Sequence, residues 1–76
     1  MPLVVAPVGK LLKVIKILAD GTVVEKLSKM GVVVNCNITI VSSGKGRVVC
    51  SINDGKVALD SELATKIFVQ EELWNY

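Results

Sequence analysis

The chain has 76 residues, of which 51% are hydrophobic, and nine Lys and Arg against seven Asp and Glu give a net charge of +2. This length allows one domain, and no apolar run reaches the roughly 20 residues that a membrane-spanning helix needs. The lysines are scattered and there are only three aromatic residues, a composition that does not indicate nucleic-acid binding. Because histidine is absent, we expect no enzyme, no cofactor and no four-ligand metal site.

The N-terminal segment and the cysteines indicate a compartment. "MPLVVAPVGK" has no basic residue before its apolar stretch and carries Pro2 and Pro7 within it, so it does not resemble a secretory signal. We therefore expect a cytoplasmic protein. In that compartment Cys36 and Cys50 would stay reduced and pack as small core residues, with a disulfide as the alternative.

The first elements are a strand and a short helix. "KLLKVIKIL" (10–18) is rich in β-branched residues, which predicts a strand. Its alternation slips midway, which indicates either a bulge or a strand covered on both sides in a tightly bent barrel. After the turn "ADGT", Thr22 and Glu25 match a capping box, which predicts the start of a helix. The residues expected to face the core recur at helical spacing: Val23, Leu27 and Met30. Gly31 then stands where a left-handed C-cap favours glycine.

The middle of the chain predicts a β-meander. Asn35 and Asn37 indicate a turn after the helix, and "NITIVSSGKGRVVCSI" (37–52) has the alternation of a hairpin. The side chains expected to face the core are Ile38, Ile40, Val48, Cys50 and Ile52. "NDGK" (53–56) predicts a second tight turn, before the strand "KVAL".

The end of the domain predicts one helical turn and a closing strand. Asp60 is the expected N-cap of "DSELATKI", and "IFVQ" follows as a strand. Together these elements predict an all-β fold with short helices. It would be a small, partly closed barrel of about five strands, with one helix after the first strand and one helical turn before the last.

These motifs, in this order, resemble the ferrous iron transport protein A (FeoA) family. The resemblance covers residues 1–70, and its most specific part is "L-x-x-M-G" followed by "V-A-L-D-x-x-L-A-x-x-I-x-V". It implies an SH3-like barrel, without enzymatic activity, that assists the membrane transporter FeoB in the cytoplasm. One departure concerns the turn after the helix, where the family often has Pro-Gly and this chain has Val34 and Asn35. This change should leave the loop less rigid and more apolar.

The candidate partner-binding residues follow from this resemblance and from the apolar excess of the chain. The helix and the following turn supply four of them: Lys26, Lys29, Val33 and Val34. The alternative is that Met30 and Val32 belong to the core and only one valine is exposed. Arg47, the only arginine, is a further candidate, either as an arginine finger toward FeoB or as a solubilising residue that guards a sheet edge.

Of two other functions, one is disfavoured and one stays as the alternative to a role in transport. A proline-recognising peptide module is disfavoured, because such grooves need several aromatic side chains. A regulatory barrel that acts in trans on a metal-responsive repressor is the alternative to the transport role.

The C-terminal tail, residues 71–76, lies beyond the predicted barrel domain of residues 1–70. Leu73, Trp74 and Tyr76 are costly to leave in water, so we expect them to fold back onto the barrel or to mediate a homo-oligomer.

Overall fold

The computed structural model describes residues 1–72, so the predictions for Leu73, Trp74 and Tyr76 lie outside the described part. Its elements in chain order are a 3-10 turn at Leu3–Val5, β1 (Leu11–Ile17), α1 (Gly21–Lys29), β2 (Asn37–Gly44), β3 (Arg47–Ile52), β4 (Gly55–Asp60), α2 (Ser61–Ala64) and β5 (Ile67–Glu71). The predicted five strands, one helix and one helical turn are confirmed.

The strands form one antiparallel sheet in the order β4-β3-β2-β1-β5. Its register shifts between Val14 and Lys16 in β1 and between Ile40 and Ser42 in β2. The first shift confirms the bulge predicted in β1, and bulges of this kind bend and twist a sheet. The sheet curls into a small barrel whose end strands do not pair. α2 follows β4 directly and contacts both β3 and β4, and the 3-10 turn contacts both α2 and β5, so these two segments connect the ends of the sheet.

The core lies on the inner face of the curled sheet. Its largest fully buried side chains are Leu3, Leu12, Leu27, Ile38, Ile40, Leu59 and Ile67, with Val14, Val32, Val48, Val69 and Cys50. The alternation predicted for β2 and β3 is therefore confirmed. Both cysteines are free thiols, Cys50 buried and Cys36 half-buried against the core, as core packing requires.

The two outer edges of the sheet differ. The start of the chain runs along β5: the Val69 N–H donates to the Met1 carbonyl at 2.7 Å, the Met1 amino group donates to the Val69 carbonyl at 2.9 Å, and Pro2 bridges to Phe68. No strand of residues 1–72 lies beyond β4. β4 therefore leaves an open edge.

Local signals set the ends of the elements, with one exception. Asp60 caps α2 as predicted, because its Oδ1 accepts from the Leu63 N–H at 2.8 Å. The predicted capping box of α1 is wrong: Asp20 is the N-cap, its Oδ1 accepting from the Val23 N–H at 3.0 Å, and Thr22 already lies inside the helix. Asp20, two residues before Thr22, has the extended backbone of an N-cap residue. The Val23 and Val24 N–H groups already donate to the Asp20 side chain and carbonyl, so the first turn of the helix leaves none of them for Thr22 to cap.

A candidate docking site on the first helix and the following turn

The last turns of α1 carry exposed lysines on one side and one fully buried leucine on the other. Leu27 is the only fully buried residue of α1, while Lys26 and Lys29 are exposed. Lys29 Nζ lies 3.5 Å from Glu25 Oε1, one helical turn away. Within residues 1–72, Lys26 makes no ion pair, so it offers the more available positive charge of the two.

The turn after α1 exposes two adjacent valines. Val33 and Val34 are 42% and 47% exposed, whereas Val32 is fully buried and Met30 is half-buried. The expectation that Met30 and Val32 contribute to the core is right, but the expectation of a single exposed valine is wrong. The two exposed side chains form a small apolar surface that directly follows the lysines of α1.

Backbone hydrogen bonds hold this turn in place. α1 ends at Lys29, and Gly31 follows with a φ of +90°, which confirms the predicted left-handed cap. The Gly31 N–H donates to the Ser28 carbonyl, and the Val32 N–H donates to the Leu27 carbonyl. Asn35 has a φ of +77°, and its N–H donates to the carbonyl of Val14 at 2.7 Å. The N–H of Val14 donates in return to Cys36 at 2.9 Å. Although the turn lacks proline, β1 fixes its path.

Arg47 lies on a different surface from the valines. It pairs with Gly44, the last residue of β2, whereas the valine turn precedes Asn37, the first. At about 3.3 Å per residue, the two positions are roughly 20 Å apart along the strand. The structure therefore places Lys26 and Lys29 on α1 and Val33 and Val34 on the turn that follows it, and separates Arg47 from that turn. Because β3 lies between β2 and β4, Arg47 does not guard a sheet edge, whereas its role as an exposed solubilising residue stays a prediction.

A shallow cleft between α1 and α2 was missed by the sequence reasoning. Val23 and Lys26 line one side, and Leu63 and Lys66 line the other, with Asp60 and Glu62 nearby. Val23 and Leu63 are half-buried and pack against the core. The sequence shows that each needs cover, but nothing in it indicates that residues 40 positions apart share a cleft.

These surfaces present lysine ammonium groups, carboxylates and aliphatic side chains. Residues 1–72 contain no group of three or more metal-binding side chains and no helix long and apolar enough to cross a membrane. Burial raises the pKa of the Cys50 thiol to about 11, so it stays protonated at neutral pH and is not a nucleophile. What the site offers a partner is apolar area and positive charge.

Comparisons with known proteins agree on a family. A protein-family model, the FeoA domain, matches residues 1–71. A crystal structure titled Iron Uptake Regulatory Protein (FeoA) is 25% identical, with a TM-score of 0.88 over 95% of this chain and 97% of that chain. The solution structure of iron(II) transport protein A from Clostridium thermocellum is 27% identical, with a TM-score of 0.86 over 93% of this chain and 45% of that chain.

A further likeness concerns the fold alone. A manganese-dependent transcriptional repressor is 20% identical, with a TM-score of 0.86 over 95% of this chain and 41% of its own. None of the curated protein sequences compared with the chain matches it significantly. The likeness to the solved FeoA structure identifies the small barrel as an SH3-like fold. Because the family model covers nearly the whole length, the chain belongs to the FeoA domain family.

Proposed function

We propose that this chain is a small cytoplasmic accessory protein of ferrous iron uptake, which acts by contact with the cytoplasmic part of the membrane transporter FeoB. The observation that carries this proposal is the match of the FeoA domain model to residues 1–71. The names of the two relatives above, iron uptake regulatory protein and iron(II) transport protein A, support the same process.

The turn after α1 is the proposed centre of the contact with FeoB. Val33 and Val34 supply apolar area that a partner can cover, and the lysines of α1 supply a polar rim, which is the usual arrangement of an interface. The backbone of the turn is already fixed to Val14 of β1, which accepts from the Asn35 N–H and donates to the Cys36 carbonyl. Less conformational entropy is then lost on binding than with a free loop.

Replacing both Val33 and Val34 with serine should weaken binding to the purified cytoplasmic domain of FeoB about tenfold or more, because truncation of central apolar contacts commonly costs over 1 kcal/mol. Isothermal titration calorimetry measures the dissociation constant. The fold should be retained, since both side chains are nearly half exposed and neither belongs to the buried core.

The matched control for this variant is Val8→Ser. Val8 is 54% exposed, and its neighbour Gly9 is hydrogen-bonded to Ile40 in the middle of β2, away from the valine turn. Binding that falls equally in both variants, or in neither, would place the contact elsewhere.

A substitution of Arg47 distinguishes a protein that acts only by contact from one that also takes part in FeoB's GTP hydrolysis. Arg47 begins β3 and pairs with Gly44, at the end of β2 that is remote from the proposed contact. We therefore expect Arg47→Ala to leave both FeoB binding and FeoB's GTP turnover unchanged. Phosphate release measured with and without the chain is the assay. Normal binding combined with lost stimulation of turnover would instead identify Arg47 as an arginine finger.

A second candidate function is regulation in trans of a metal-responsive transcriptional repressor. The specific observation in its favour is the fold shared with the manganese-dependent repressor. Deleting the gene distinguishes the two. Lost iron uptake with unchanged transcription of iron genes supports the transport role, and altered transcription with normal uptake supports the repressor role.

A further inference from the structure

The open edge of β4 is a surface that the proposed contact with FeoB does not use. β4 comprises Gly55–Asp60 and pairs only with β3 within residues 1–72. Three alternate residues of the strand are exposed: Lys56, Ala58 and Asp60. An exposed strand edge carries unpaired N–H and C=O groups that can accept another strand.

The turn between β3 and β4 determines which backbone groups face outward. Asn53 and Asp54, with φ values of +47° and +68°, form a two-residue turn, so the pair of Ile52 and Gly55 closes the hairpin with mutual hydrogen bonds. Hydrogen-bonded pairs then alternate along an antiparallel ladder. The Ser61 N–H donates to the Gly46 carbonyl at 2.9 Å, as that alternation requires. It follows that the backbone groups of the residues between them, Lys56 and Ala58, point away from β3.

The sequence of β4 is complementary to itself when it is reversed about Ala58. In an antiparallel pair of two such strands, Ala58 of one copy faces Ala58 of the other. Lys56 of each copy then faces Asp60 of the other, and opposite charges placed directly across a ladder stabilise it. Asp60 can serve both roles: its Oδ1 accepts from the Leu63 N–H, which leaves Oδ2 for the lysine.

We propose that two copies of this chain associate through β4, antiparallel and centred on Ala58, to form a continuous ten-stranded sheet across a two-fold axis. Ala58 exchanges N–H···O=C bonds with its counterpart, and each Asp60 N–H donates to the Lys56 carbonyl of the second copy. The small methyl group of Ala58 lets the strands approach. Such an interface is isologous, the form that closed dimers use.

The interface is one strand wide, so association is weak and depends on concentration. The charge pattern argues for a second copy as the occupant, because Lys56 and Asp60 flank Ala58 symmetrically and complete each other only in reversed orientation. This inference goes beyond the proposed contact with FeoB and does not depend on it.

Sedimentation velocity of the full chain, from low-micromolar to millimolar concentration under reducing conditions, tests the proposal. We expect a monomer–dimer equilibrium that Lys56→Glu weakens about tenfold, because the new carboxylate faces Asp60 of the second copy. Lys10→Glu is the matched control. It changes the net charge equally but directly precedes β1, three strands from β4, and should leave the equilibrium unchanged.

Ala58→Pro tests the backbone bonds independently of charge. Proline removes an N–H that points to solvent in the monomer, a position where edge strands tolerate it, and we expect no dimer at any concentration. In the unsubstituted chain, the amide of Ala58 should become protected from hydrogen exchange as concentration rises. A chain that stays monomeric would overturn the proposal. So would a dimer that persists in both Ala58→Pro and Lys56→Glu, or protection of Ala58 only when FeoB is added.

Discussion

Replacing Leu27 with alanine should lower the free energy of unfolding by about 3 kcal/mol, the usual loss when a buried leucine is truncated and a cavity remains. Leu27 is fully buried and is the only such residue of α1. For a domain of this size the loss corresponds to a fall in Tm of roughly 15 °C. Urea denaturation followed by circular dichroism measures it. Because domains of this length are marginally stable, the variant should be partly unfolded near physiological temperature.

Val24→Ala is the control on the same helix. Val24 is 36% exposed, and alanine favours helix more than valine does, so its effect should stay within about 0.5 kcal/mol. A loss in Leu27→Ala no greater than in Val24→Ala would show that α1 is held by something other than Leu27.

Most of the strands could be predicted because burial on one face imposes a period of two. In β3 the buried residues Val48, Cys50 and Ile52 alternate with exposed or half-buried neighbours, and a shift of one residue would turn all three outward. The turn at Asn53 and Asp54 was predictable for another local reason, since these residue types tolerate positive φ. Local sequence therefore contains both the register and the turn of this hairpin.

The N-cap of α1 could not be chosen from sequence alone. Asp20 and Thr22 are both favourable N-cap residues, and the Thr22 and Glu25 pair fits the capping box as a pattern. The choice depends on where the chain leaves β1, and that point is set by the pairing of Ile17 with Ile67. The N-cap of α1, a local feature, therefore depends on a strand pairing between residues 50 positions apart in the chain.

The candidate site was only partly predictable for the same reason. Three consecutive valines, 32 to 34, have no periodicity that separates buried from exposed positions. Their exposure follows from the anchoring of Asn35 and Cys36 to Val14, which turns Val32 inward and leaves Val33 and Val34 outside. The distance between Arg47 and this turn required the register of β2 against β3.

Part of the apolar excess of this chain lies on the surface of the domain and not in its core. Val5, Val8 and Leu18 are each more than half exposed, so exposed aliphatic side chains are not confined to the proposed docking site. What distinguishes Val33 and Val34 is that they are adjacent, follow the lysines of α1 and lie on a backbone fixed by hydrogen bonds. Area alone does not set affinity, whereas a preorganised apolar centre with a polar rim contributes to it.

Raising the pH from 8 to 11 should destabilise the protein through Cys50. Burial raises the pKa of its thiol in the folded state to about 11, from an ordinary value of 9.0. The unfolded chain therefore releases this proton at lower pH than the folded chain does. The contribution of the protonated Cys50 thiol to the free energy of unfolding is fully present below pH 9. It is lost as the pH rises through 11, since between these pH values the folded state holds more protons than the unfolded state. At about 1.4 kcal/mol for each pH unit between the two pKa values, the loss approaches 3 kcal/mol.

The comparison that isolates this thiol is Cys50→Val, which keeps an apolar side chain of similar size and removes the titrating group. The lysines and Cys36 are common to both proteins, so the difference between their curves of unfolding free energy against pH belongs to Cys50. We expect the wild-type curve to fall more steeply between pH 9 and 11 under reducing conditions. Parallel curves would contradict the raised pKa. Rapid labelling of Cys50 at pH 8 by a thiol reagent would contradict the burial that causes it, because a fully buried, protonated thiol reacts only when the barrel opens.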